Sequence, residues 1–256
     1  MEERQMIKVI INGCNGKMGK VLQEVIAAEP EMKIVAGIDI TQNPSAEYPI
    51  FSSVAQCNCD ADVVIDFTIA KIVDSLLDDC AAKKLPLVLC TTGLTPEQLK
   101  HVEQVSKVIP IVQSYNMSLG INTLAKVLEN IAPLLADAGF DIEIIEKHHN
   151  QKIDAPSGTA LLLANTINES LNHEYHYKYD RTAERIARNK KEIGISAVRG
   201  GTIVGEHNVI FAGKDEVLEL THQAHSKAVF AKGAVQAAKF LVKKECGRYT
   251  MRDVIE

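Results

Sequence analysis

Residues 7–19 read IKVIINGCNGKMG. The opening IKVII is a short, apolar, β-branched run that stops at Asn12-Gly13, as a buried parallel strand does before a turn. From 17 to 28 the apolar residues Met18, Val21, Leu22, Val25 and Ile26 recur at helical spacing along one stripe, and Pro30 marks the end. A small-residue turn between strand and helix suits a phosphate group, because the backbone can approach it and free N–H groups with the helix dipole stabilise its charge. The candidate contacts are Gly13, Cys14, Asn15, Gly16, Lys17 and Met18. Their G-x-x-G-x-x-G spacing varies the usual G-x-G-x-x-G and is weak alone, since glycines also end strands. Asp39, 20 residues beyond Gly19, adds weight. It closes the second predicted strand, where an acid accepts hydrogen bonds from the adenosine ribose of NAD. Ile40, Thr41, Gln42 and Asn43 bring no cation for a 2′-phosphate, so NADH is the expected coenzyme; Lys17 keeps NADPH open.

Working outward, further strand patterns fall at 33–38, 63–67, 87–90 and 109–112, with helical patterns at 71–83 and 95–107. That alternation predicts βαβ units and a parallel sheet, with candidate sites just past the strand ends: 13–19, 39, 66–68, 90–93 and 114–117. Beyond Met117 the texture changes. A helix is predicted at 121–138, a half-exposed strand at 140–147 (FDIEIIEK), a helix at 159–171 and a polar stretch at 172–191. Strand-like runs follow at 195–198, 202–204, 209–211 and 217–221, and Gly213-Lys214-Asp215 predicts antiparallel pairing of the last two. A helix with a small packing face at 229–241 is expected to return to the first sheet. The fold class is α/β: a Rossmann-type parallel-sheet nucleotide-binding domain plus a second α+β domain with a mostly antiparallel or mixed sheet.

The 256 residues are 46% apolar and 24% charged, enough for a large core, which excludes general disorder. Twenty-eight basic against 33 acidic side chains, with no Trp, argue against a nucleic-acid binder. No apolar run approaches about 18 residues, and residues 1–5, with Glu2 and Glu3, lack a leader's basic start, so a cytoplasmic protein without membrane contact is expected. Six scattered cysteines without C-x-x-C pairs fit neither a disulfide framework nor a zinc site; no metal is expected.

The richest chemistry lies in residues 146–160, EKHHNQKIDAPSGTA. If the strand runs through the histidines, neighbouring side chains alternate, and only one imidazole faces a given pocket. Histidine is the natural proton carrier near neutral pH. Lys152 brings positive charge, and Ser157, Gly158 and Thr159 open a helix with N–H groups and hydroxyls suited to a carboxylate. An N-capped helix with solvated His and Lys is the competing reading.

These pieces together, GCNGKMG, Asp66-Phe67-Thr68, Thr91-Thr92-Gly93, Asn116-Met117-Ser118-Leu119-Gly120, His148-His149 with Lys152 and 154–159 (DAPSGT), and Arg199-Gly200-Gly201 with Gly205-Glu206-His207, resemble the 4-hydroxy-tetrahydrodipicolinate reductase (dihydrodipicolinate reductase) family over nearly the whole chain. The resemblance implies an NAD(P)H-dependent oxidoreductase of diaminopimelate and lysine biosynthesis. Its members reduce the dehydrated form of the hydroxylated cyclic dicarboxylate to tetrahydrodipicolinate, with hydride going to ring C4. It implies His148 and Lys152 as catalytic residues and His149, Gly158 and Thr159 as substrate contacts. Coenzyme contacts are implied at the glycine loop, Asp39, Cys90, Thr91, Thr92, Ser114, Tyr115, Asn116 and Met117. It further implies a dinucleotide-binding domain at 1–117 and 228–256, a substrate-binding and oligomerisation domain at 118–227, a homotetramer, and closure about 114–118. Three departures from the family pattern stand out: Cys90 for Gly, Lys227 for Arg, and Asn150 with Gln151 for basic residues. Another nicotinamide oxidoreductase acting on an amino-acid-derived imine, or a silent NAD sensor, are the alternatives. A sensor has no use for His148 and Lys152 together.

Overall fold

In the computed structural model, which describes residues 6–182 and 185–256, the run from Ile7 forms β1 (Ile7–Asn12), and the stripe after the glycine loop forms α1 (Lys17–Ala27). The N-terminal reading on Glu2 and Glu3 lies outside the described residues, as do 183 and 184 of the polar stretch. Next come β2 (Met32–Ile38), β3 (Ile50–Phe51), β4 (Val63–Asp66), α2 (Val73–Lys83), β5 (Leu87–Leu89), α3 (Pro96–Val105) and β6 (Pro110–Gln113). Helix α3 starts where Thr95 and Gln98 cap each other reciprocally, with Pro96 at the first helical position. The chain continues through α4 (Leu119–Asp137), β7 (Asp141–His148), α5 (Gly158–Ser170), β8 (His176–Lys178), β9 (Glu192–Arg199), β10 (Gly205–Ala212) and β11 (Val217–Ala224). It ends with α6 (Ala228–Leu241), β12 (Gly247–Tyr249) and α7 (Met251–Ile255).

Two units divide these elements, Met1–Leu119 with Lys227–Glu256, and Gly120–Ser226. In the first, seven parallel strands run in the order β12-β6-β5-β4-β1-β2-β3. Buried strands point alternate residues to opposite faces, so both faces are apolar and both need helices. Val9, Ile11, Val63, Ile65 and Val112 pack with Leu22 and Ile26 of α1 and the small face of α6 (Ala231, Ala234, Ala237, Ala238). Ile10, Val64, Leu87, Leu89 and Ile111 pack with Leu76, Leu77 and Cys80 of α2 and with Val102 of α3. The predicted return of the last long helix to the first sheet is thus observed.

The second unit has a mixed sheet, β11-β10-β7-β9-β8, with β7 and β9 parallel and β10 antiparallel to both β7 and β11. The turn signal at Gly213 joins β10 to β11, with Gly213 N donating to Glu216 O at 2.8 Å. One sheet face carries Ile142, Ile144, Ile193, Ile195, Val209 and Phe211 against α4 and α5. The run 202–204, expected as a strand, is instead loop: Gly201 turns the chain at φ +50°, and pairing starts at Gly205. Short elements the sequence reading passed over are β3, β8, β12 and α7.

Candidate active site

In the first unit the register puts Asn12 opposite both Ile38 and Asp66, Asp66 opposite Leu89, and Leu89 opposite Gln113. The strands therefore end level, and Gly13, Asp39, Phe67, Cys90 and Ser114, each one residue further, form a single rim. The order reverses between β1 and β4, the switch point where such sheets hold ligands. Gly13 has φ +81°, and a Cβ on it would stand 2.9 Å from Thr68 Cγ2. A Cβ on Gly19 would stand 2.2 Å from Gly13 O, so only glycine lets α1 start this close to the loop. Gly16 caps α1 without a side-chain partner, which leaves the helix N-terminus open to an anion.

Asp39 accepts from Asn15 N at 3.0 Å, Thr41 N at 3.0 Å and the Thr41 hydroxyl at 2.9 Å. Burial pushes its carboxyl up, but these donors outweigh it and hold the group below the ordinary carboxylate range. Lys17 is exposed on the first turn of α1 and Met18 half-buried. Buried Thr91 donates to Asp66 Oδ2 at 2.6 Å, and Thr92 is exposed. The Ser114 hydroxyl and Asn116 backbone bond each other, Tyr115 is exposed, and Met117 is buried against Gly233, where any Cβ would collide with Met117 O. Cys90 is buried, and burial together with Asp66 pushes its thiol well up, so it stays a neutral thiol. The rim thus offers what a dinucleotide needs: a cradle kept open by glycine, uncapped N–H groups and an ionised acid.

The second unit gathers its polar side chains at one end of the sheet face that is elsewhere apolar. Alternation along β7 that buries Ile142 and Ile144 also buries Glu146 and His148. Glu146 has no exposed surface. It accepts from Arg199 twice at 2.7 Å, from Ser157 N at 3.0 Å, and lies 2.5 Å from His148 Nδ1. Burial pushes its carboxyl up, but Arg199, His148 and Ser157 outweigh it and keep the group ionised. Burial, with Lys152 and Arg199, lowers the His148 imidazole, and Glu146 acts the other way. His207, paired in register with Glu146, meets the His148 ring edge-on at 5.1 Å, and burial drives it down to about 3.

His149 leaves the strand half-buried and accepts Lys152 N at 3.1 Å, closing a turn; Lys152 Nζ pairs with Asp154 at 2.8 Å. Gly158 opens α5 with nothing within 4 Å of where its Cβ would lie, and Thr159 follows half-buried. Ser157 takes the N-cap role of the competing reading: its Oγ accepts from Ala160 N at 3.2 Å and lies 3.0 Å from His207 Nε2. The structure thus brings His148, His149, Lys152, Gly158 and Thr159 to one end of the second unit, and the fourteen rim residues to one edge of the first. Sequence reasoning placed Asp66 among the strand-end candidates and gave no role to Glu146, Arg199 or His207. The available signal was period-2 alternation, which puts Glu146 on the buried face, where an acid requires partners.

A doubly wound sheet with a glycine-cradled rim, joined in one chain to a one-sided sheet carrying a buried histidine, a lysine and an open helix start, defines a nicotinamide-nucleotide oxidoreductase of two units. The family descriptions "Dihydrodipicolinate reductase, N-terminus" and "Dihydrodipicolinate reductase, C-terminus" match residues 7–117 and 120–255. The chain belongs to the dihydrodipicolinate reductase family. It is 50% identical over 251 residues to a 4-hydroxy-tetrahydrodipicolinate reductase of Caldanaerobacter subterraneus subsp. tengcongensis, covering 98% of this chain and 99% of that one. To the same enzyme of Clostridium perfringens strain 13 it is 50% identical over 254 residues, with 98% and 99% covered. A dipicolinate-bound dihydrodipicolinate reductase from Paenisporosarcina sp. TG-14 superposes with TM-score 0.82 at 26% identity, covering 97% of this chain and 99% of that one.

Proposed function

We propose that this chain reduces the dehydrated form of 4-hydroxy-tetrahydrodipicolinate to tetrahydrodipicolinate, with His148 and Lys152 managing the proton. The activity class follows from the family: NAD(P)H-dependent reduction of a cyclic dicarboxylate intermediate on the route to diaminopimelate and lysine. A reduced nicotinamide nucleotide, when bound, supplies the hydride for ring C4. The first unit is read as the coenzyme domain: Gly13, Cys14, Asn15, Gly16, Lys17 and Met18 hold the pyrophosphate, Asp39 the ribose, and Cys90, Thr91, Thr92 and residues 114–117 the remainder. The second is read as the substrate domain, with His149, Gly158 and Thr159 receiving carboxylate.

The observation that carries the proton roles is the short hydrogen bond between His148 and a fully buried, ionised glutamate. It orients the ring, while the nearby Lys152 charge favours anionic substrate and keeps the imidazole easily deprotonated. A coupled assay supplying aspartate semialdehyde, pyruvate and the preceding synthase tests the reaction: NADH or NADPH absorbance must fall only when all are present. No consumption of either coenzyme refutes the reading.

NADH is proposed as the preferred coenzyme, because Asp39 is ionised and its carboxylate repels a 2′-phosphate. A kcat/KM with NADPH well above that with NADH overturns this preference. A homotetramer built through the second unit completes the proposal, and sedimentation giving a monomer at assay concentration removes it. We place the enzyme in the cytoplasm, a setting that keeps its six free cysteines reduced. Among the described residues no helix is long and apolar enough to cross a membrane.

A further inference from the structure

We infer that Glu146 is a positioning residue that locks the His148 imidazole with its proton on Nδ1, leaving Nε2 as the atom that exchanges a proton with substrate. The inference rests on the acid/base reading of His148 given above and deepens it. An ionised carboxylate only accepts, so a nitrogen 2.5 Å from Glu146 Oε2 must carry the hydrogen. Glu146 cannot turn away. Arg199 Nη1 and Nη2 grip its two oxygens at 2.7 Å each, and Ser157 N donates to Oε1 at 3.0 Å from the start of α5. Arg199 is itself fixed by Asp154 O at 2.6 Å and Val198 O at 2.8 Å. Three elements, β9, the loop 149–157 and the start of α5, therefore hold one carboxylate still, and β7 places the imidazole two residues further along the same face.

The opposite nitrogen is left uncovered by a glycine: a Cβ on Gly205 would stand 3.2 Å from His148 Nε2. Free imidazole prefers no such arrangement, and the chain imposes it. The charged and titratable groups around the ring are Glu146 on β7, Arg199 on β9, His207 on β10 with His222 opposite it on β11, and Lys152 with Asp154 on the loop. The Glu146 charge raises the ring's proton affinity; Lys152 and Arg199 lower it. Removing Glu146 or Arg199 therefore shifts the ring in opposite directions, which a merely structural role does not produce.

The test uses the full chain labelled with 15N-histidine, His148 being assigned by the signal lost in His148→Gln. In the unsubstituted protein, at a pH where the ring is neutral, the expected pattern is a protonated Nδ1 and a bare Nε2; a protonated Nε2 with bare Nδ1 overturns the inference. This reading needs no variant to fold. In turnover assays Glu146→Gln is expected to lose about tenfold to a hundredfold in kcat, the scale on which outer partners of a working histidine act. Its His148-dependent limb of the kcat/KM profile should move to lower pH, and that of Arg199→Gln to higher pH. Shifts in one shared direction, or none, overturn the role of Glu146. Wild-type turnover in His148→Gln instead overturns the acid/base reading of His148, whatever the tautomer.

Discussion

Asp66 in the first unit and Glu146 in the second are both carboxylates without exposed surface, yet they hold protons in opposite ways. Asp66 accepts only from neutral groups, Asn12 Nδ2 at 2.8 Å and the Thr68 and Thr91 hydroxyls at 2.6 Å each, and burial wins, raising its proton affinity. Glu146 faces a guanidinium and an imidazole, and charge wins over burial. Asp66 is the more deeply desolvated and meets neutral donors, which replace lost water, whereas Glu146 lies nearer the surface and faces cations, which also offset the lost solvation of charge. In the first unit the acid ties strand ends together beneath the rim. In the second it holds the His148 imidazole.

The largest break in this contrast comes from removing what Glu146 serves. His148→Gln should lower kcat about 10²- to 10⁴-fold while NADH binding, followed by fluorescence titration, stays near wild type. Lys152→Ala should fall in the same direction; wild-type-like turnover in either variant takes that residue out of the chemistry. Next in size is stability. Glu146→Gln leaves Arg199 facing a neutral amide and should cost about 3–5 kcal/mol. Asp66→Asn should stay within about 1 kcal/mol, because the Thr68 and Thr91 hydroxyls can rotate to accept from an amide. Equal losses in urea unfolding of the two variants erase the distinction.

Acid gives a third comparison. His207 has a folded-state pKa of about 3 against an ordinary 6.5, so its contribution is whole above pH 6.5 and is lost as pH falls toward 3. The expected slope is up to about 1.4 kcal/mol per pH unit. Asp66 works the other way: its folded-state pKa is raised, so its contribution is present below the unfolded carboxyl pKa and is lost as pH rises through the folded one. His207→Phe should flatten the stability profile between pH 6.5 and 4 relative to the parent chain; an unchanged slope shows that another group carries it. The smallest effect is at the α5 cap: Ser157→Ala should cost about 1 kcal/mol in thermal unfolding, with the loss confined to the cap and its His207 contact.

The sequence made the first sheet readable because each long strand is a β-branched run closed by a turn residue, as from Ile7 to Gly13 and from Val63 to Thr68. Strands of two or three residues such as Ile50–Phe51 and Gly247–Tyr249 are too short to show a period, and pairing with a neighbour, not local pattern, makes them strands. The run 202–204 misled for the converse reason: its Thr, Ile and Val favour strand, but the backbone turn at Gly201 decides. The candidate residues of both units were picked out by their chemistry and by their place after strand ends. Their supports were not, because the contacts of Glu146 with Arg199 and of Asp66 with Thr91 join residues far apart in the chain, which no local pattern shows.

Cys90 sits on the strand-end rim of the first unit, one residue past β5, and burial beside an acid keeps its sulfur protonated. Peroxides and alkylating agents attack thiolates, so this sulfur is insulated from both. Cys14 and Cys80 are shielded in the same manner, with thiols raised to about 11 and to well above the ordinary value. Cys246 is exposed, so it is the thiol that a reagent in solution reaches most readily.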